Sequence, residues 1–447
     1  MRRGGRRARR AGLGRPFNTL WAATAVSNVG DGIVKAAAPL LVASVTASPA
    51  LIGWAVFVQQ LPWLLFSLVS GVYVDRLDRR RLIVVINLLR GAVIGGLALA
   101  VWGDAVNVPV IYVAGFLLGT CETLGDNASA AMIPATVRSE DLPRANARMQ
   151  VVFYVIDQFS APPLGAALFV VAAALPFGVN AVTFALAALL ISTLRDNGEA
   201  PAREPARERR RVRGEIAEGV RWLWNQPTIR MISVTLALMN ITLLAGFSVL
   251  VLYARERLGL GEIGYGLLLS ASAAGGLLGA LCAVRLTERF RTSALLRAAL
   301  VLESLTHLGL ALAQTVWLVI SVLLLFGAHN AVFGVVVRTL RQRMVPDALR
   351  GRVESVFMMF SMGGAALGAL IGGPIAVALG VTGPFWIAFA VMAALTLVAW
   401  RPFGRSLPEG ARGGPRASGS AGKTGPADGS SPDGDEPPAS ELARDLG

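Results

Sequence analysis

The sequence predicts an all-α polytopic membrane protein in which twelve transmembrane helices form two pseudo-symmetric six-helix bundles. The first observation is composition, because 54% of the 447 residues are hydrophobic and only 16% are charged, whereas soluble domains have about 25% charged residues. The second is that the apolar residues form twelve runs, each long enough for a helix of about 20 residues to cross a bilayer. The third is that one long polar segment separates the first six runs from the last six.

The runs are about twice as long as a membrane-barrel strand and do not alternate strictly, so each predicts a helix. The predicted spans cover residues 17–44, 50–72, 82–102, 108–134, 148–172, 175–194, 230–253, 263–285, 294–313, 316–337, 354–378 and 383–401. They divide the chain into a basic cytoplasmic N-terminus (1–16), a first six-helix bundle (17–194), a cytoplasmic linker (195–229), a second six-helix bundle (230–401) and a disordered cytoplasmic tail (402–447). Within the linker, residues 215–226 place apolar side chains on one side, which predicts an amphipathic helix on the inner membrane surface.

Arginine residues are distributed unequally between the two sets of loops. One set contains 24, whereas the opposite set contains only Arg255 and Arg257. Because short cytoplasmic loops retain positive charge, this asymmetry predicts a multi-pass protein of the inner membrane with both termini in the cytoplasm. Most of the basic residues behind the net charge of +14 lie in these loops and the N-terminus, so they favour contact with the lipid bilayer and not with nucleic acid.

The two cysteines, Cys121 and Cys282, lie in apolar runs, where free thiols behave as small hydrophobes. We therefore expect no disulfide, no metal site and no redox chemistry. No nucleotide-binding motif has a supporting context, so the sequence predicts no cofactor and no enzymatic activity, and any uphill transport must use an ion gradient.

The two halves carry similar segments at corresponding positions. Residues 71–81 after span 2 read GVYVDRLDRRR, and residues 286–291 after span 8 read LTERFR. Residues 161–166 in span 5 read APPLGA, and residues 366–369 in span 11 read ALGA. Such a duplication is typical of transporters whose substrate site lies at the bilayer midplane between the two repeats.

These segments resemble the major facilitator superfamily, and the resemblance covers residues 17–401. The first segment is similar to that superfamily's loop signature G-x-x-x-D-R-x-G-R-R, with Asp78 where glycine is usual. Segments 27–32, 122–127, 144–146 and 341–353 are similar to the bacterial branch of enterobactin exporters and macrolide efflux proteins. The resemblance implies a cytoplasmic gate at Gly71, Asp75, Arg76, Arg79, Arg80, Glu288 and Arg289, and an antiporter-like helix at Pro162, Pro163 and Gly165. For Asp75 and Arg76 we favour a latch that holds the cytoplasmic side shut. For the arginines at 79–81 we favour a role in topology alone, in which the lipid charge holds them on the cytoplasmic side.

Span 1 carries a stripe of polar residues inside an apolar run. Thr24, Asn28, Asp31 and Lys35 are spaced by four, three and four residues, so they share one helix face. A charged residue at a helix centre costs about 2.5 to 3.5 kcal/mol, and Asp31 and Lys35, one turn apart, are expected to pair. Two interpretations stay open: the pair holds the span in register, or Asp31 binds and releases a proton as substrate exchanges.

Further polar candidates lie within other spans. Glu122 and Asp126 are one turn apart in span 4, Asp157 lies in span 5, Asn240 in span 7 and His329 in span 10. A proton-coupling or cavity role is one interpretation of each. Asp126 could instead pair with arginines at the inner gate, Asp157 could serve in gating, and a lone histidine is more often a structural donor. Glu303 and His307, one turn apart in span 9, are expected to form a satisfied pair between helices.

Together these features predict a secondary transporter working by alternating access. The expected reaction is proton-coupled efflux of a lipophilic or amphiphilic small molecule such as a drug, siderophore or secondary metabolite, with the monomer as the functional unit. An importer or passive facilitator of the same fold is the first alternative. A non-transporting membrane receptor is the second, and the tail offers no ordered signalling domain to support it.

Overall fold

The computed structural model describes residues 13–74, 78–194, 212–346 and 349–405. Within them, twelve helices are long and apolar enough to cross a membrane, as the sequence predicts. They are α1 Arg15–Val45, α2 Pro49–Val74, α3 Arg79–Trp102, α4 Val108–Thr136, α5 Leu142–Val171, α6 Leu175–Ser192, α7 Pro227–Phe247, α8 Glu262–Arg289, α9 Thr292–Leu312, α10 Val316–Met344, α11 Arg350–Leu379 and α12 Gly383–Arg405. A further helix, the linker helix, spans Val212–Asn225.

The helices pack in the same pattern in both halves. In the first, α1 packs against α5, α2 against α4, and α3 against α6. In the second, α7 packs against α11, α8 against α10, and α9 against α12. Each pairing repeats with a shift of six helices, which confirms the predicted fold class of two pseudo-symmetric six-helix bundles.

Two span ends differ from the sequence prediction. The seventh span was expected to reach residue 253, but α7 ends at Phe247, and the chain turns at Ser248 into a short buried helix, Leu250–Leu252. The twelfth span was expected to end at residue 401, but α12 continues to Arg405, because Phe403 is completely buried in the core of the second bundle. The rest of the predicted tail, residues 406–447, lies outside the described residues, as do residues 1–12 of the N-terminus.

The two bundles meet along α2 with α11 and along α5 with α8. We call the end of the molecule at which α1 ends and α2 begins the distal end, and the opposite end the proximal end. At the distal end α2 and α11 approach closely: Gly53 and Gly373 face each other, and a Cβ on Gly53 would lie 3.0 Å from the Gly373 nitrogen. The Trp54 indole N–H donates to the Leu370 carbonyl at 3.3 Å.

The connection between α7 and α8 closes the same end. Tyr253 is fully buried, and its hydroxyl donates to the Leu310 carbonyl at 2.8 Å. Arg255 reaches both bundles, since its Nη1 donates to the Ala43 carbonyl of α1 and its Nη2 lies 3.2 Å from Glu262 Oε1 at the start of α8. The distal end is therefore held by polar contacts as well as by helix packing.

The linker helix occupies almost the predicted range but rests on protein. Its Leu223 is completely buried against Val345, Val353 and Val356 near the proximal ends of α10 and α11. The Arg352 guanidinium donates to the Glu218 carboxylate at 2.5 Å. The apolar side predicted to face the membrane surface thus covers the second bundle, while Trp224 stays half exposed.

Candidate functional site

Four charged side chains inside the first bundle form two ion pairs between helices. Arg90 Nη2 of α3 lies 3.0 Å from Asp31 Oδ1 of α1. Lys35 Nζ, one turn further along α1, lies 2.5 Å from Asp157 Oδ2 of α5. The predicted pairing of Asp31 with Lys35 is therefore wrong, because a cation from α3 and a carboxylate from α5 reach these side chains across the helix interfaces.

The two pairs differ in their access to solvent. The side chains of Asp157 and Arg90 are 6% and 13% exposed, whereas those of Asp31 and Lys35 are 27% and 38% exposed. Asn28, one turn before Asp31 on α1, is half-buried. The stripe on α1 therefore forms the accessible edge of the cluster, and its partners on α3 and α5 form the buried edge.

Arg90 is the functional candidate that sequence reasoning missed. Its guanidinium stacks over the Phe184 ring of α6 at 4.3 Å, and its Nε is buried without a hydrogen-bond partner in the described part of the chain. The available signal was its position within an apolar run, because an arginine there carries the same insertion cost as Asp31. The prediction counted arginines only in the loops, so it did not include Arg90.

The carboxylates of α4 complete the cluster. Glu122 is half-buried and Asp126 is exposed, and both act electrostatically on Arg90. Four carboxyl groups thus share this region with two cations, Lys35 and Arg90. An excess of carboxyl groups in a low-dielectric region is most readily relieved by binding protons or a cation.

Close helix packing brings α1 and α5 near enough for the Lys35 pair. A Cβ on Gly32 would lie 2.5 Å from the Asp157 carbonyl and 2.6 Å from Ala161 Cβ. A Cβ on Gly165 would overlap the backbone of Ile33. Only hydrogen at these two positions allows the two backbones to approach this closely.

The predicted antiporter-like segment produces an irregular helix. Asp157 lies in a π-helical stretch, Val152–Ser160, directly before Pro162 and Pro163. Because proline has no N–H, the carbonyl of Phe159 loses its usual partner four residues later. It instead accepts a hydrogen bond of 2.6 Å from Ser270 of α8, across the interface between the bundles. Irregular helix turns of this kind frequently occur at functional sites.

The candidates of the second bundle lie in two separate places. Asn240 donates to the Leu236 carbonyl at 2.9 Å and lies 3.4 Å from the Ser361 hydroxyl, which connects α7 to α11. His329 is buried, and its Nε2 lies 3.2 Å from Glu303 Oε2. The other oxygen of Glu303 lies 3.4 Å from His307 Nε2, as expected for that pair. His329 is therefore part of a buried cluster between α9 and α10.

The predicted cytoplasmic gate is described only in part. Asp75 and Arg76 lie outside the described residues, and Gly71 lies in the last turns of α2. Arg80 Nη2 donates to the Ser192 carbonyl at 2.5 Å, so the start of α3 is attached to the end of α6. Asp78, the departure from the loop signature, caps α3 by accepting from the Arg81 N–H at 3.1 Å. Arg79 begins α3, and Glu288 and Arg289 are exposed at the proximal end of α8.

The comparison with protein families gives one match over nearly the whole folded region. The family described as transmembrane secretion effector matches residues 13–410. The chain belongs to this family. It is a membrane transporter of the major facilitator superfamily and not an enzyme, in agreement with the resemblance found in the sequence.

Individual relatives lie in the same branch. The multidrug efflux pump Tap of Mycobacterium tuberculosis is 30% identical over 386 residues, which cover 81% of this chain and 87% of that protein. The enterobactin exporter EntS of Shigella boydii is 28% identical over 407 residues, which cover 88% and 94%.

Solved structures share the fold at low sequence identity. The nucleoside transporter NupG has a TM-score of 0.69 at 12% identity and matches 88% of this chain and 100% of its own. A bacterial homologue of the iron transporter ferroportin in an inward-facing state has a TM-score of 0.68 at 18% identity, with the same coverage. These similarities support the fold and carry no information on substrate.

Proposed function

We propose that this transporter exports a lipophilic or amphiphilic small molecule in exchange for protons, by alternating access between its two bundles. The observation that carries the proposal is the cluster of Asp31, Glu122, Asp126 and Asp157, for which Lys35 and Arg90 are the counter-charges found among the described residues. Its accessible edge on α1 allows protons to enter, and its buried edge couples their binding to the contacts among α1, α3 and α5.

Asp31 is the proposed proton-coupling residue. Its carboxylate is partly exposed and paired with Arg90, so protonation of Asp31 would weaken that pair and free the guanidinium. A change of charge on α1 would then alter the packing of α1 against its neighbours. Proton binding and rearrangement of the first bundle are linked in this way without a further component.

Alternating access requires that the distal contacts break in each cycle. The interface there consists of glycine-mediated packing of α2 on α11, together with the contacts of Arg255 to both bundles. The contacts described here are few enough to exchange for water. We propose that they form the gate opposite to the loop that contains Asp75 and Arg76.

The direction and the substrate class rest on the relatives and on composition. Tap is named as a multidrug efflux pump and EntS as an enterobactin exporter, and the spans of this chain are rich in apolar residues with few fixed charges. We further propose that both termini lie in the cytoplasm, that the protein resides in the inner membrane, and that a monomer suffices. The asymmetry of arginine between loops supports the orientation.

The experiment measures proton release from acid-loaded everted vesicles with a pH-sensitive dye. Amphiphilic antibiotics and siderophores are added in turn to vesicles containing the native protein, Asp31→Asn or Asp104→Asn. Asp104 is the matched control, because it is exposed in the turn after α3 at a positive φ that asparagine also tolerates. Equal expression and the thermal unfolding of each variant in detergent establish that it is folded.

The expected result is that at least one compound releases protons with the native protein and with Asp104→Asn, but not with Asp31→Asn. Equilibration of a radiolabelled compound in native vesicles without proton movement would contradict the coupling and leave a passive facilitator. Full proton release by Asp31→Asn would instead move the proton site to another carboxylate.

A further inference from the structure

The second bundle contains a cavity that none of the proposed proton-coupling residues lines. It has a volume of about 640 Å³ and lies between α7, α10 and α11, towards their proximal ends. Ligand sites for drug-sized molecules usually have about 300 to 1,000 Å³. The cavity is therefore large enough to hold such a molecule.

The cavity has an apolar part and a cationic part. Phe333, Phe357 and Met358 belong to the apolar lining, and Arg338 and Arg341 of α10 to the cationic lining. The acidic residue in the lining is Glu354, near the start of α11. Two guanidinium groups against one carboxylate leave the lining with a net positive charge.

Arg341 is held in place but incompletely paired. Its side chain is 12% exposed, and its guanidinium stacks on the Phe357 ring at 3.6 Å. Its Nη1 lies 2.8 Å from Glu354 Oε2, but neither this nitrogen nor the buried Nε has a well-aligned hydrogen-bond partner among the residues that the structure describes. A buried guanidinium with an unused donor is costly, and its planar fork suits a second acceptor from a carboxylate or phosphate.

Glu354 occupies the position that an acidic ligand would take. Its side chain is 54% exposed, so its carboxylate can leave Arg341 for water at little cost. An incoming anion in the place of Glu354 could accept from both Nη1 and Nη2, the two ends of the guanidinium fork, which the single contact with Glu354 does not achieve. Glu354 thus acts as an internal competitor for the same guanidinium.

We propose that this cavity binds the acidic group, carboxylate or phosphate, of an amphiphile through Arg341, with displacement of Glu354. The aromatic and Met358 side chains hold the apolar body. The proposal deepens the proposed function, on which it rests for the claim that the ligand is the transported molecule. The same chemistry could come from the headgroup of an anionic phospholipid, so the experiment includes both sources.

The experiment measures binding to the full-length purified protein in non-ionic detergent by isothermal titration. The soluble probe is 2-naphthyl phosphate, and 2-naphthol is its uncharged counterpart. The lipid probes are dihexanoyl phosphatidylglycerol and dihexanoyl phosphatidylcholine. The variants are Arg341→Gln, Glu354→Gln and Arg285→Gln, the last being a matched control at an exposed position of α8 outside the cavity.

The native protein and Arg285→Gln are expected to bind 2-naphthyl phosphate and not 2-naphthol. Arg341→Gln should weaken binding about tenfold or more, because the charge-assisted hydrogen bonds to the anion are lost. Glu354→Gln should bind more tightly than the native protein, since the competing charge is gone. A purely structural ion pair would not produce that gain, and this variant tests the proposal even if Arg341→Gln does not fold.

Unchanged affinity in Arg341→Gln, weaker binding in Glu354→Gln, or equal binding of 2-naphthol would each overturn the proposal. Binding of phosphatidylglycerol but not of 2-naphthyl phosphate would overturn the assignment to a transported molecule. Because binding is measured without a proton gradient, the failure of proton coupling in vesicles would leave this result intact, and the two proposals can fail separately.

Discussion

Replacement of Gly373 by alanine should shift the transporter towards a state that is open at the distal end. In the structure, a Cβ on Gly373 would overlap the carbonyl oxygen of Pro49 and lie 2.7 Å from Ala50 Cα. Ordinary contact begins at 3.4 Å, so the backbones of α2 and α11 must separate by about 1.1 Å at the Pro49 oxygen to accept one methyl group. Both opposing atoms belong to backbone, which cannot turn away as a side chain can.

The expected magnitude follows from the cost of overpacking. An extra methyl group in a well-packed contact costs about 1 to 3 kcal/mol. This cost applies only to the state with a closed distal end, so the ratio of open to closed molecules should rise about 5- to 150-fold. A minor open population would thereby become readily detectable, and a nearly balanced one would become dominant.

The assay is a distance measurement between spin labels at the distal end, which needs no known substrate. Labels at Ala105→Cys and Leu379→Cys occupy exposed positions on the two bundles, after Cys121 and Cys282 are changed to serine. Gly373→Ala should increase the population at the longer distance. The control is Gly96→Ala, because a Cβ at that helical position meets nothing within 4 Å.

The same distance distribution in Gly373→Ala and Gly96→Ala, with both variants folded, would contradict this prediction. In that case the contact of α2 with α11 relaxes locally and does not determine the state of the distal end.

Two further predictions concern the buried charges and are read from unfolding in detergent. Lys35→Met should destabilise the protein by about 3 kcal/mol because it leaves the Asp157 carboxylate without its cation. Lys35→Met with Asp157→Leu should recover most of that loss. If the losses of Lys35→Met and Asp157→Leu simply add in the double variant, the two side chains are not coupled. Glu303→Gln should lower the free energy of unfolding by about 1 to 3 kcal/mol, since it removes the charge between two buried imidazoles. Glu288→Gln, at an exposed helix end, is the control and should have no effect. A similar result for both variants would mean that the buried cluster does not stabilise the protein.

The helices were predictable because each span carries its own signal of length and composition. The partners of the charged residues were not. The cost of a buried charge identified Asp31 and Lys35, but spacing within one helix could pair them only with each other. In the structure Asp31 pairs with Arg90, 59 residues later, and Lys35 pairs with Asp157, 122 residues later. The same limit applies to Glu303: its spacing predicted the pair with His307 in the same helix, but could not predict the contact with His329 on the next helix.

The end of α7 was missed for a related reason. Residues 248–253 are as apolar as a spanning helix, but the chain uses them to fill the distal end, where Tyr253 and its neighbours are buried by α9 and α12. Hydropathy measures how well a segment avoids water and does not distinguish lipid from protein as its surroundings.

The hydrogen bond from Ser270 to the Phe159 carbonyl can break and form again at little cost in free energy when the two bundles separate and meet. In a regular helix, a carbonyl is committed to its own chain, and a bond across an interface must be added to a satisfied backbone. Here Pro163 leaves the Phe159 carbonyl without its usual donor, so Ser270 of the other bundle can donate to it, and a water molecule can replace Ser270 when the surfaces separate. The net difference between the two partners is about 0.5 to 1.5 kcal/mol. The proline that interrupts the helix thus provides a hydrogen bond between the bundles that can break without leaving a carbonyl unsatisfied.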